Sequence, residues 1–304
     1  NIANSNLQLR MTTVPAQSQL LLTDELRQKT KGLHAKTDRL VQLGLFAILD
    51  YQASIYRQII LGFYYVFSTF EEEYDRHLKD PNVHPWLKHT YSPELKRSEA
   101  FEADLAYYYG PDFKQHIRPS KQVQEYIDHI RDISRRHPER LIAYPATLYL
   151  GLFFGGQITR SKIVRATNFF PSPPDKQLGG EHDSGIAIFT FREQSNEEGT
   201  AGNHGTNKKL DPNKVKTDLK ARLNSIPGIN DDSETAQAAR HAIGEEAREI
   251  FARNMDLMTS TQGMARVWIR WFTFGIIYLF VGLAVFVAFY QIMTMESAKG
   301  SVSF

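Results

Sequence analysis

His34 stands in the run LRQKTKGLHAKTDRL, where Arg27, Lys31 and Lys36 gather cations around one imidazole. Leu26, Thr30, Leu33, His34, Thr37 and Val41 recur at helical spacing, so the histidine lies within the apolar stripe of an amphipathic helix for which Thr23 is a candidate N-cap. A histidine on such a stripe is either a core side chain or a ligand. The cations beside it suit an anionic ligand, and spacing alone leaves both readings open.

The second unusual stretch is YLGLFFGGQ, residues 149–157, with glycine at 151, 155 and 156 in an otherwise apolar and aromatic segment. Each glycine inside a helix costs roughly 1 kcal/mol relative to alanine. Gly151 and Gly155 are four apart and share a helix face, with Gly156 beside them. Such a bare face admits either a second helix or a flat ligand, and a planar macrocycle would need it opposite an imidazole.

The elements that must position these residues are helical. The run from Phe46 to His77 reads as one or two core helices, RSEAFEADLAYYYG as a helix closed by Gly110 and Pro111, and SKQVQEYIDHIRDISRRH as amphipathic through Val123, Ile127, Ile130 and Ile133. Residues 141–158 carry no charge but contain Pro145 and the three glycines, which predicts a bent helix buried in the domain. FPSPPDKQLGGEHDSG is loop, IAIFTF is β-prone without having to form a strand, and the polar stretch around residues 193–213 is expected to be mobile. Helical pattern resumes at 213–224 and 234–263. The expected class is therefore all-α.

Composition narrows the chemistry. The 304 residues contain no cysteine, which excludes disulfides, thiolate metal sites and cysteine nucleophiles, and 36 basic against 34 acidic residues give no global field for nucleic acid. No nucleic-acid motif, phosphate-binding loop, dinucleotide fingerprint, HExxH or nucleophile elbow is found. WFTFGIIYLFVGLAVFVAFY, from Trp271 to Tyr290, carries no charge over a length that spans a bilayer core and is expected to be a transmembrane tail anchor. Arg266 and Arg270 before it favour a cytosolic N-terminal side, and the near-neutral tail MESAKGSVSF leans toward the endoplasmic reticulum over mitochondria.

Taken together, LRQKTKGLHAKTDRL, FEEEYDR, EADLAYYYGP, YLGLFFGGQ, IFTF and KTDLKARLNSI resemble the membrane-anchored eukaryotic heme oxygenases in order and spacing. The expected organisation is a flexible arm at residues 1–22, a helical heme-binding domain at 23–262 that the resemblance implies, a juxtamembrane and transmembrane segment at 263–295 and a short tail at 296–304. The resemblance further implies that His34 is the proximal iron ligand of heme b, that Arg27 lies near the heme edge, that Lys216 and Lys220 pair with the propionates, and that Gly151, Gly155 and Gly156 form the distal platform. Lys220 stands where the family commonly has arginine, keeping the charge but losing the bidentate fork. The family reaction takes oxygen and electrons from a flavoprotein reductase and converts heme to biliverdin, carbon monoxide and ferrous iron. The chain departs from the family where it has Leu152 for a distal aspartate, Ala146 for a tyrosine and Leu148 for an arginine. These departures also open a second expectation, a heme-binding protein or a subunit of a membrane complex that kept the fold and lost ring opening.

Overall fold

The computed structural model describes residues 20–51, 53–165, 185–192 and 209–300. In chain order they form α1 (Leu22–Tyr51), α2 (Ala53–Leu78), α3 (Pro85–Thr90), α4 (Ser98–Tyr109), α5 (Phe113–His116), α6 (Lys121–Arg136), α7 (Gln157–Arg165), α8 (Pro212–Asn224), α9 (Glu234–Thr259) and α10 (Met264–Gly300). Among the described residues there is no strand, only an isolated antiparallel bridge between Arg192 and Lys209. The all-α expectation is met.

Local chemistry explains the boundaries. Ser120, Asp211 and Ser233 cap α6, α8 and α9 by accepting the N–H groups of Val123, Asn213 and Ala236. α4 stops at Gly110, whose φ of 90° ends the helix where a β-carbon would be strained. On α6 the residues Val123, Tyr126, Ile127, Ile130 and Ile133 are buried at helical spacing, facing α2.

Two sequence expectations are corrected. Thr23 is not the cap of α1, because the helix already starts at Leu22 and the Thr23 N–H instead donates to Asn224 Oδ1 at 3.0 Å. α1 continues to Tyr51, further than its amphipathic stripe indicated. IAIFTF, β-prone without having to form a strand, forms a 3-10 turn at Ala187–Phe189, where Asp104 accepts the N–H groups of Ala187 and Ile188. Of the stretch around residues 193–213 expected to be mobile, 193–208 lie outside the described residues, as does most of the preceding loop, while Lys209 bridges to Arg192 and Asp211 caps α8.

α1 and α9 run parallel. Glu25 meets Arg240, Lys29 meets Gly244, and His34 meets Phe251, so advancing along one helix advances along the other. A β-carbon on Gly244 would sit 2.6 Å from Lys29 Cδ, so a side chain there would move the Lys29 chain aside. Arg240 is 7% exposed, donates to Glu25 Oε2 at 3.0 Å and reaches the carbonyls of Ile229 and Asp231, so one guanidinium ties the start of α1 to the loop before α9.

Past α9 a turn at Gly263 leads into α10. Within Met264–Met293 the most apolar window has mean hydropathy 2.4 and none of it is buried against the rest of the chain. This helix is long and apolar enough to cross a bilayer.

Arg240→Ala strands the buried Ile229 carbonyl and leaves Glu25 with Lys29 as its ion-pair partner. A loss of about 2–4 kcal/mol is expected, read as a fall of roughly 5–10 °C in the melting temperature of the detergent-solubilised chain.

Candidate functional site

A cavity of about 820 Å³ lies between α1 and the segment that leads into α7. Leu26, Arg27, Thr30, Lys31 and His34 line it from α1, Ala247 and Phe251 from α9, and Lys216 and Lys220 from α8. The half-buried His34 ring lies 5.2 Å from the Phe251 ring, tilted by 50°, so the imidazole is wedged between α1 and α9 with the cavity in front of it. Thr30 spends its hydroxyl on Leu26 O at 2.7 Å and contributes no free donor here.

The opposite wall is not a regular α-helix. It consists of two π-helical turns, Pro145–Tyr149 and Leu152–Gly156, joined through Leu150 and Gly151. Pro145 cannot donate to the preceding turn, and π turns widen the helix locally, which together give the bend that the sequence predicted. Ala146, Thr147, Leu150, Gly151, Gly155, Ile158 and Lys162 face the cavity. At Gly151 and Gly155 a β-carbon would meet nothing within 4 Å, so these two positions present bare backbone to open space.

Gly156 does something else. It is buried, and a β-carbon there would lie 2.9 Å from Phe189 Cδ1, so it permits close packing on the reverse face and does not line the cavity. The three-glycine platform expected from sequence is thus a two-glycine platform with a packing glycine behind it. Leu152 also turns away, half-buried against the core, while Phe153 is buried and stacks on Phe191 at 4.4 Å. Leu148 is core, and the Phe154 side chain lies outside the described residues.

The first of the two turns is pinned on either side by tyrosine-to-glutamate hydrogen bonds. Tyr144 donates to Glu246 at 3.0 Å, on the oxygen that also meets His129 Nε2 at 2.9 Å. Tyr149 donates to Glu71 at 2.9 Å, and Glu71 also accepts from the Arg97 and Ser98 N–H groups and the Ser98 hydroxyl. Burial pushes the Glu71 carboxyl up, and the four donors pull it back. Burial and the neighbouring carboxylates push both phenols far above their ordinary range, so each tyrosine remains a donor.

Electrostatically the cavity is one-sided: Arg27, Lys31, Lys162, Lys216 and Lys220 line it against Asp24 alone. No group of three or more His, Cys, Asp or Glu side chains gathers among the described residues. A bare metal ion needs several protein donors, whereas a lone imidazole facing an apolar, cation-rimmed slot fits an iron already held by an anionic macrocycle. The residues present therefore fit heme.

The structure brings His34, Arg27, Gly151, Gly155, Lys216 and Lys220 to one cavity, and leaves Gly156 and Leu152 outside its lining. Sequence reasoning missed Thr147, Ile158, Lys162 and Phe251. Ile158 and Lys162 were findable, since 151, 155, 158 and 162 continue one helical stripe.

The family pattern described as Heme oxygenase matches residues 20–260. The chain is 29% identical over 242 residues to heme oxygenase 1 of Synechocystis sp., covering 80% of this chain and 85% of that protein, and 28% identical over 243 residues to heme oxygenase 1 of Rattus norvegicus, covering 80% and 72%. Among solved structures, heme oxygenase-1 from Synechocystis in complex with heme aligns with a TM-score of 0.61 at 28% identity, over 85% of this chain and 100% of that one. The heme oxygenase from Leptospira interrogans aligns with a TM-score of 0.61 at 27% identity, over 79% and 99%. With the family pattern spanning the cavity walls and the helices that hold them, the chain belongs to the heme oxygenase family.

Proposed function

We propose that this chain binds heme b through His34 and carries out its oxygen-dependent conversion to biliverdin, carbon monoxide and ferrous iron, with electrons from a flavoprotein reductase. The observation that carries this reading is the pairing of one imidazole with bare backbone at Gly151 and Gly155 across a cavity of about 820 Å³, within the 300–1,000 Å³ typical of ligand sites. Heme supplies the oxygen-activating iron and is itself consumed. The protein's part is to hold the ring, exclude bulky groups from its open face and deliver protons there.

Each wall has a task in this account. His34 fixes the iron on the α1 side, and Phe251 limits how the imidazole can rotate. Lys216 and Lys220, with Arg27 and Lys31, draw the ring carboxylates to the rim and so set its in-plane direction. Gly151 and Gly155 let backbone approach the other face. Thr147, 8% exposed, is the hydroxyl that this wall offers to the cavity.

A second reading has its own observation. Among the described residues of the Gly-rich wall that line the cavity there is no carboxylate, and Leu152 packs into the core. A wall without an acid orders protons poorly. This favours a heme-binding protein, or a subunit of a membrane complex, that holds heme without opening it. In either reading α10 anchors the domain to a membrane, the endoplasmic reticulum by preference, with Arg266 and Arg270 on the cytosolic side.

Hemin titration of the full chain in detergent tests the binding step. His34→Ala shifts the Soret band and weakens binding, and Lys216→Ala with Lys220→Ala weakens it about ten- to a hundredfold with a shallower salt dependence. Gly155→Leu abolishes uptake while the apoprotein melts as the parent does, because its side chain enters open space. Supplying a reductase and air to the loaded chain then separates the two readings: biliverdin and carbon monoxide accumulate if the ring is opened, and the Soret band persists if it is only held.

A further inference from the structure

The reverse face of the Gly-rich wall rests on a short strap, residues 185–192. Phe189 presses on Gly156, where a β-carbon would come within 2.9 Å of its ring, and Phe191 stacks on Phe153 at 4.4 Å with an interplanar angle of 25°. Gln157, the first residue of α7, donates to Phe189 O at 3.0 Å. The cavity lies on the other side of the same two turns, so only one thickness of helix separates Phe189 and Phe191 from the space above His34.

The strap itself is fixed to α4 by more bonds than a short connecting segment requires. Asp104, fully buried, accepts the Ala187 N–H at 2.8 Å and the Ile188 N–H at 3.0 Å. Tyr108 donates to Gly185 O at 2.8 Å, and Arg97 donates to Thr190 O at 2.6 Å while its guanidinium lies 4.1 Å from the centre of the Phe191 ring. A buried carboxylate with two backbone donors and a buried guanidinium over an aromatic face are costly to disturb. α4 thereby holds Phe189 at a set distance behind the wall.

We propose that this strap sets the height of the cavity, with Phe189 a positioning residue that acts through Gly156 on the backbone of Gly155 and Gly151. The inference rests on the reading that the cavity holds heme. Packed interiors transmit such displacements because neighbours have no void to yield into. A methyl group added at Gly156 has two ways out: Phe189 retreats against Asp104 and Arg97, or the wall moves toward His34. The bonds that hold the strap make the second the easier one. A smaller side chain at 189 relaxes the same contact.

The test uses the full chain in detergent with hemin, and exogenous imidazole as a probe of the open axial position. Gly156→Ala is expected to weaken hemin binding about tenfold and to weaken imidazole binding to the loaded protein by a similar factor, both recovering in Gly156→Ala/Phe189→Leu. Phe189→Leu alone is expected to admit imidazole more tightly than the parent, and it carries the test by itself if Gly156→Ala does not fold. A purely structural contact would lower the melting temperature without moving the imidazole affinity, and the double variant would melt lower still. Hemin and imidazole affinities that stay at the parent value in Gly156→Ala and Phe189→Leu overturn the proposal alone. A parent chain that takes up no hemin overturns the heme reading beneath it.

Discussion

A wall one helix thick, open on one side and packed on the other, is the constraint on which the rest of this structure depends. Bare backbone at Gly151 and Gly155 is useful to a ligand only if it is rigid, yet glycine and π-helical turns are the least rigid way to build a helix. The rigidity is supplied from outside. Glu246 and Glu71 hold the tyrosines at 144 and 149, on either side of the first turn, and Phe189 and Phe191 back the second turn at Gly156 and Phe153. Burying carboxylates for this purpose costs free energy unless every oxygen is satisfied, and Glu71 meets the condition with four donors from α4 and the wall itself.

The facing wall solves a different problem. α1 must present an imidazole and a row of cations along one side without losing its grip on the core, and it does so by lying parallel to α9. Arg240 and Glu25 fix the register at one end, Lys29 lies over Gly244, and Phe251 touches His34 further along. Apolar residues line the cavity together with the cations Arg27, Lys31, Lys216 and Lys220, so a flat anionic ring placed there would meet apolar faces and positive charge. In the proposed reading, holding an anionic macrocycle and reacting with it are separable: the first would use α1, α8 and α9, and the second would depend on what the Gly-rich wall offers.

Much of this was legible from residue types alone. The amphipathic stripe placed His34 on one face of a helix, and the stop at Gly110 follows from local chemistry that acts within a few residues. The four-residue spacing of Gly151 and Gly155 gave a bare face. What spacing misjudged was Gly156, because the reverse face of a helix is defined by its neighbours, and Phe189 is brought there by a connection 33 positions along the chain. Thr23 was misread for a related reason: Asn224, from α8, satisfies the N–H group that a local cap would otherwise address. Lys162 was readable but unread, since it prolongs the glycine stripe by two turns. Tertiary partners, not local propensity, decide Gly156 and Thr23.

The most direct measurement is a structure of the full chain loaded with hemin. The account requires the iron to be bonded to His34 through a single ring nitrogen, one face of the porphyrin to lie against the backbone of Gly151 and Gly155, and its carboxylates to point at Lys216 and Lys220. Iron bound by a different side chain, or a porphyrin lodged away from the two glycines, would contradict it.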